Sequence, residues 1–460
     1  MQIETPAPRK AGFHLLSFLL AGMNSLGLLG GLLGILLLIL FGVMDGLMGA
    51  DLSTFSALGW ATAAMLVLLL PGLVYAIRRL AGSDRPAFSV PNSHRVARIL
   101  VFIWPVLMLG AYLIAQNTGL PKVILGPLQI LVIGIPIWYL LEVSRRGLRG
   151  GKAHQAWGTF SAGMLLAMPL AFIVETILVV VVVILAANAI MGQNALLEEL
   201  NRLAMRLSSA NLDPEVISRA LTPILRRPAV LATILILASG LVPLVEELFK
   251  PLGMWALGRK KLTPAQGFSL GMVSGAAFAF LESLGYLSGV SGTDWVLTAA
   301  GRVGSALLHI TGSGLVGWGL AEAWSNRRFG RLALGYGAAV VLHGLWNLFG
   351  ILVGLVPFID VTAGLVGLLR GLGVIAPYAL GLIGVGMFAI LMGMNQYLRR
   401  QSALEMTASL PALEVAPDPF EDSLTAEQPA PQMEAESPPI ELEQAAPAEQ
   451  DPNRMDSAGF

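Results

Sequence analysis

Apolar residues occupy the first 400 positions in long blocks separated by shorter polar stretches. A helix that crosses a bilayer needs about 20 mostly apolar residues. Such windows recur at 14–42, 56–77, 98–117, 121–142, 158–190, 229–257, 266–290, 297–322, 332–356 and 372–397. The pattern therefore predicts an all-α fold, a polytopic transmembrane helical bundle of about ten spans.

Basic residues favour one side of this predicted bundle. They collect at every second connection, namely at Arg9/Lys10, Arg78/Arg79/Arg85/Arg95/Arg98, Arg145/Arg146/Arg149/Lys152, Arg259/Lys260/Lys261, Arg327/Arg328/Arg331 and Arg399/Arg400. The other short connections hold one clear base, Lys122, and several aspartates. Because cytoplasmic loops accumulate Lys and Arg, we expect a multi-pass protein of the cell membrane with both termini cytoplasmic.

The composition agrees with a membrane protein, since 55% of the residues are hydrophobic and only 13% are charged. The mean hydropathy is +0.72. The first apolar block is longer than the apolar core of a signal peptide and lacks a convincing cleavage site, so we expect a retained span. The absence of cysteine excludes a disulfide framework, a thiolate nucleophile and a Cys-ligated metal.

Two segments differ from the spans. Residues 193–228 have the spacing of two amphipathic helices, which would lie on the outer leaflet or act as a gate over a site. Residues 401–460 contain 13 acidic residues and a single base, Arg454, and are rich in Pro and Ala. This composition predicts a disordered acidic tail that could bind an unknown partner. Residues 1–192 would hold about five spans, and residues 229–400 about five more.

Ionisable residues interrupt four successive spans of the second group at depths far from the basic flanks. They are Glu246, Glu247, Glu282, His309 and His343. An ionised side chain near the bilayer centre costs about 3 kcal/mol on insertion scales, so such residues need partners, a cation or water. Glu246 and Lys250 are four residues apart and share a helix face, as do His343 and Asn347. We therefore expect these faces to meet.

Small residues would allow this meeting. Gly267, Gly271, Gly275 and Ala279 form a ridge along the seventh span, and glycines also crowd the eighth. Such ridges let helix backbones approach closely in a membrane.

Glutamate and histidine side chains suit Zn²⁺ or a similar divalent ion. A further carboxylate would take the proton from an activated water. Two other chemistries stay open. Ser313 lies four residues after His309, so a Ser/His hydrolase is conceivable, although no orienting partner is evident. The cluster could also be a proton relay of a transporter, although no internal repeat is visible.

The motifs resemble those of a known family. Glu246-Glu247-x-x-Lys250 is followed by Phe278-x-x-x-Glu282, then by Arg302 and His309, and then by HGLWN at 343–347. This order resembles the PrsW family of intramembrane metalloproteases, which looks related to the CAAX-processing and bacteriocin-processing membrane proteases. The resemblance covers about residues 229–356.

The resemblance implies an intramembrane metallopeptidase that hydrolyses membrane-tethered proteins. It implies that Glu246, Glu247, Glu282, His309 and His343 form the active centre. Our own allocation places Glu282, His309 and His343 on the metal, which we expect to be Zn²⁺. One of Glu246 and Glu247 would be the general base and the other a ligand or a neighbour of one. Lys250 would neutralise the pair or steady an oxyanion, and Asn347 would orient His343 or donate to the oxyanion.

Expected partners are the lipid bilayer and a membrane-embedded protein substrate, with no nucleic acid. A non-catalytic membrane scaffold is the remaining alternative. Arg302 would be an interfacial anchor or a carboxylate partner. Glu175 stands alone in the fifth span and belongs to no motif, so pairing with another helix is its simplest interpretation.

Overall fold

The computed structural model describes residues 15–47, 53–83, 93–116, 124–148, 150–191, 227–257, 261–288, 292–356 and 364–408, with a few isolated positions at 198–222 and at 290. These residues form an all-α structure, and no strand occurs among them. The predicted connection at 193–228 and the predicted tail beyond residue 408 lie almost entirely outside the described residues, so both stay predictions.

The described helices, in chain order, are α1 (Leu15–Leu47), α2 (Ser53–Leu80), α3 (Ser93–Gln116), α4 (Leu125–Ser144), α5 (Ala153–Ala162), α6 (Met168–Met191), α7 (Pro228–Ile236), α8 (Val242–Phe249), α9 (Leu252–Trp255), α10 (Pro264–Ser288), α11 (Gly292–Asn326), α12 (Phe329–Leu355) and α13 (Gly364–Ala408). Helix α13 thus continues eight residues beyond Arg400.

Nine stretches of these helices are long and apolar enough to cross a membrane. Helices α5 and α6 together make one such stretch, and helices α7 to α9 make another. Helix α11 has 35 residues and is long enough, but its composition is less apolar than that of the nine. With α11 as a tenth helix, the described part agrees with the predicted polytopic bundle of about ten spans.

Helices α10 and α11 form the centre of the bundle. Nineteen of the 25 residues of α10 are buried, and residues 305–323 of α11 are buried without interruption. A helix that is surrounded by other helices does not meet lipid, so it can carry more polar residues than its neighbours. This position explains why α11 is less apolar than the other spans.

The predicted glycine ridge lies at the contact between these two helices. A Cβ atom on Gly271 would collide with the carbonyl oxygen of Ser313, and one on Gly275 would collide with that of His309. The two backbones are therefore in direct contact, which is the packing that small residues permit in membranes. The contact fixes His309 against α10.

Two π-helical turns join consecutive helices. Gly163–Ala167 connects α5 to α6, and Leu237–Leu241 connects α7 to α8. A π turn inserts one extra residue and leaves carbonyl groups without their usual helical partners, and it is common near functional sites. The second turn directly precedes α8, which carries Glu246 and Glu247.

Candidate active site

Helix α8 brings two carboxylates and one ammonium group together. Lys250 Nζ lies 3.0 Å from Glu246 Oε2 and 2.5 Å from Glu247 Oε1, and the Glu247 and Lys250 side chains are completely buried. The helix ends here because Pro251 follows. The Ser274 hydroxyl of α10 donates to the freed Lys250 carbonyl. This bond ties the cluster to the central helix.

His343 of α12 joins the cluster from the opposite side. Its Nδ1 atom lies 2.9 Å from Glu247 Oε1, and its Nε2 atom lies 3.8 Å from Glu246 Oε2. Lys250 Nζ is farther from Nδ1, at 3.4 Å. The shorter contact places the proton on Nδ1, which donates to Glu247 and leaves the lone pair of Nε2 free.

His309 of α11 has a carboxylate partner of its own. Its Nε2 atom lies 2.6 Å from Glu282 Oε2 of α10. The same carboxylate accepts from Arg302 at 2.5 Å, and Arg302 Nε also donates to the Ser283 hydroxyl at 3.0 Å. Of the two roles expected for Arg302, the structure therefore shows the carboxylate partner. Ser283 was not singled out from the sequence, where its only signal is its place beside Glu282.

The two imidazoles face a common point. Their ring centroids are 5.5 Å apart, and the rings are almost perpendicular. Ligand atoms of Glu246, His309 and His343 all lie within 4.8 Å of one another, and all three residues are buried. The structure thus groups Glu246 with the two histidines, whereas Glu282 is bonded to His309 on its other side.

The donor set fits a divalent metal. One carboxylate and two imidazoles are the three protein ligands of many catalytic zinc sites. His309 Nδ1 is buried and has no hydrogen-bond partner among the described residues. A buried nitrogen without a partner is uncommon, because it loses its bonds to water on burial. A metal ligand role would satisfy it.

The part of the chain that carries these residues matches a known protein family. Residues 215–375 match the PrsW family intramembrane metalloprotease. Over these residues the chain is similar to that family. The match contains Glu246, Glu247, Glu282, His309 and His343, and it confirms the resemblance expected from the motifs. Searches of curated proteins and of solved structures found no match to the chain.

The matched region is one part of a multi-pass membrane protein. It begins near α7 and ends within α13. Helices α1 to α6 lie outside the matched residues, although α4 and α5 pack directly against α10.

Asn347, also predicted for the site, lies one helical turn after His343 in α12. Its Nδ2 atom donates to the Ala238 carbonyl at 2.9 Å, within the π turn that precedes α8. Gly344 packs against the backbone of the same turn at Ser239. Asn347 therefore joins α12 to the segment that carries the two glutamates. The roles expected for it toward His343 and an oxyanion stay predictions.

Aromatic side chains border the cluster. The Phe278 ring of α10 lies 4.9 Å from Lys250 Nζ and 5.3 Å from the His309 ring. Arg302 stacks over Tyr286 at 4.8 Å. Cations and aromatic faces attract each other, most strongly away from water. These rings shield one side of the ion pairs. Tyr286 itself is exposed.

Proposed function

We propose that the protein hydrolyses peptide bonds of membrane-tethered proteins, with a divalent metal held by Glu246, His309 and His343. The observation that carries the proposal is the convergence of these three buried residues, from α8, α11 and α12, on one point. The PrsW-family match over the same helices supports a peptidase. Zn²⁺ is the metal that this donor set suits best.

Each histidine has a carboxylate that would orient it toward the metal. Glu247 accepts from His343 Nδ1, and Glu282 accepts from His309 Nε2, which leaves His343 Nε2 and His309 Nδ1 for coordination. Such carboxylate contacts fix the tautomer and ring orientation of metal-binding histidines. In this proposal Glu282 is a positioning residue rather than the metal ligand to which we allotted it from the sequence.

When bound, the metal supplies Lewis acidity, which makes water a better nucleophile and polarises the scissile carbonyl. The chain must then accept the proton of the attacking water. Glu247 suits this role because its Oε2 atom is buried and has no hydrogen-bond partner in the described structure. Lys250, in contact with Oε1, balances the negative charge of the pair. Glu247 would thus be the general base and Glu246 the ligand.

The substrate class follows from where the cluster lies. The helices that carry the cluster belong to stretches that are apolar enough to span a bilayer. The exception is α11, which is buried at the centre of the bundle. A peptide bond would reach the cluster sideways from the lipid, so the substrate would be a membrane-embedded protein. A scaffold would not need the pairing of each histidine with its own carboxylate, and a transporter would show proton-linked flux that survives chelation. The partner expected for the acidic tail stays a prediction.

A cleavage assay tests the proposal. The purified chain is reconstituted in lipid vesicles with an unstructured reporter protein fused to a single transmembrane helix. We expect cleavage that stops on chelation and resumes with Zn²⁺. Glu247→Gln and His343→Ala should abolish it, whereas Ser313→Ala should not, because Ser313 packs at the α10 contact beside Gly275. Cleavage that is lost in Ser313→Ala but survives chelation would instead support a Ser/His hydrolase.

The orientation proposed from the basic loops is testable separately. Reporter enzymes that are active on only one side of the membrane are fused after residue 408 and within residues 193–228. We expect a cytoplasmic signal from the first fusion and an external signal from the second. The opposite pair of signals would reverse the proposed topology.

A further inference from the structure

Glu175 is a charged residue that neither the motifs nor the matched region explains. It is the only charged residue of α6, whose remaining sequence is almost entirely apolar. It precedes the PrsW-family match by 40 residues. An ionisable residue within a transmembrane helix is costly unless it serves a partner or a site.

The face of α6 that carries Glu175 turns toward the active-site cluster. Ala171, four residues earlier and hence on the same face, is buried against Phe278 of α10. Phe278 in turn contacts the His309 ring and Lys250. The neighbours Ile173 and Ile177 of α6 are more than half exposed and face outward. Glu175 thus lies one helical turn from a residue that packs on the cluster.

Its carboxylate has no local partner. The Oε1 atom is buried and forms no hydrogen bond with any described residue. The pairing with another helix, which was the simplest interpretation of the sequence, is therefore not what the structure provides for this oxygen. Helix α6 packs directly against α8, which carries Glu246 and Glu247 and ends at Lys250.

The charge balance of the cluster changes when this residue is included. The set then comprises four carboxylates and two permanent cations, namely Glu175, Glu246, Glu247, Glu282, Lys250 and Arg302. With neutral imidazoles, the ionised set carries two excess negative charges, which one divalent cation neutralises. Without Glu175, a bound divalent cation would leave one positive charge uncompensated in a medium of low dielectric constant.

We propose that Glu175 is a fourth carboxylate of the metal centre, which the amino-terminal half of the chain supplies to the PrsW-family region. It strengthens the binding of the divalent cation through its charge, without a coordinate bond. This inference rests on the proposed function, because it presumes the metal site formed by Glu246, His309 and His343. It also gives helix α6 a role in the site that the family match does not include.

The test measures affinity for Zn²⁺ rather than cleavage. Zn²⁺ alone is titrated into metal-free, full-length protein in lipid nanodiscs, with a fluorescent chelator as competitor. Three variants are compared with the wild type. Glu175→Gln keeps the shape and removes the charge, and Glu175→Asp keeps the charge. Glu142→Gln, at the end of α4, removes a negative charge elsewhere.

We expect Glu175→Gln to weaken Zn²⁺ binding about tenfold or more, as one charge acting on a divalent ion in a partly buried site should. Glu175→Asp should stay closer to the wild type, and Glu142→Gln should match it. The metal-free protein should unfold at an unchanged or higher temperature in Glu175→Gln, because the variant removes a buried charge that has no hydrogen-bond partner.

Equal Zn²⁺ affinity of Glu175→Gln and the wild type would overturn the inference. Equal losses in Glu175→Gln and Glu175→Asp would also overturn it, because they would assign the effect to packing. If the wild type itself bound no Zn²⁺, the proposed function would fail first. The two failures are therefore distinguishable.

Discussion

At the scale of single residues, Lys250 is the group that makes the carboxylate pair tolerable in the bundle. It is completely buried and contacts both Glu246 and Glu247. Removing one partner of a buried ion pair leaves an uncompensated charge, which costs about 3–5 kcal/mol. The metal-free protein depends on this ammonium group more than the metal-bound protein does, because a cation at Glu246 offsets part of the same charge.

Replacement of Lys250 tests this dependence. We expect Lys250→Met to lower the unfolding temperature of the metal-free protein strongly, and Zn²⁺ to restore more stability in the variant than in the wild type. Thermal unfolding in detergent, followed by intrinsic tryptophan fluorescence, measures both effects. The matched control is Lys261→Met, because Lys261 lies outside the helices before α10. An unfolding temperature unaffected by Lys250→Met would contradict the role assigned to the ion pair.

The residue types and their order in the chain carried most of the information on the site. Glu246, Glu247, Glu282, His309 and His343 were singled out because charged residues are rare at such depth in apolar segments. The role of each of these residues was not predictable from the sequence. It depends on which nitrogen of each imidazole meets a carboxylate, and that is set by tertiary contacts between four helices.

The position of Glu175 near the site was also not predictable from the sequence. No motif surrounds it, and its distance from the other site residues in the sequence gives no sign of proximity. Only the packing of Ala171 against Phe278 reveals which way its helix face turns.

At the scale of helices, the contact between α10 and α11 determines where His309 lies. The carbonyl of His309 itself is the group that a side chain on Gly275 would strike. A residue with a Cβ atom at this position must push the helices apart, and overpacking of this kind typically costs about 1–3 kcal/mol. The displaced element carries one ligand of the proposed metal site.

We therefore expect Gly275→Ala to weaken Zn²⁺ binding and cleavage together, with a loss of stability. Gly285→Ala on the same helix is the control, because a Cβ atom there would meet no other atom within 4 Å. Alanine at that position should be neutral or slightly stabilising, since it favours helix more than glycine does. Zn²⁺ titration and thermal unfolding of both variants give the comparison. Wild-type behaviour of Gly275→Ala would show that the ridge does not position His309.

The long helices were predictable from the sequence, but their irregularities were not. Hydrophobic blocks and the length of a span predict helices such as α4 and α12 within a few residues. The π turn at Leu237–Leu241 has no comparable signature, because its five residues are ordinary apolar and small ones. It is stabilised by partners on α12, notably Asn347, which lie about 100 residues away in the sequence.

At the scale of the whole molecule, the region that matches the family shares its largest apolar core with the rest of the chain. The largest cluster of buried apolar residues combines Val132 and Ile137 of α4 with Phe268 and Met272 of α10, and it also includes Met387 of α13. Helices from both halves of the chain thus share one interior. The predicted division at residue 192 separates segments of sequence, and the packing of α4 and α5 against α10 crosses it.

A chain reduced to residues 215–408 should therefore be unstable. We expect it to aggregate or to be degraded when expressed alone, because the α4 face of α10 would be uncovered. Co-expression with residues 1–214 should restore a stable complex that binds Zn²⁺. Size-exclusion chromatography in detergent measures the outcome. A stable, Zn²⁺-binding 215–408 fragment would show that the matched region is independent of the first six helices.

The most direct test of the account is the metal content of the purified full-length protein. We predict about one zinc per chain in the wild type by elemental mass spectrometry, and loss of this zinc in Glu246→Gln and in His343→Ala. Glu282→Gln should retain a measurable fraction, because Glu282 orients His309 in our proposal. A wild type without metal, or equal metal in the wild type and Glu246→Gln, would contradict the claim that these helices assemble one metal centre.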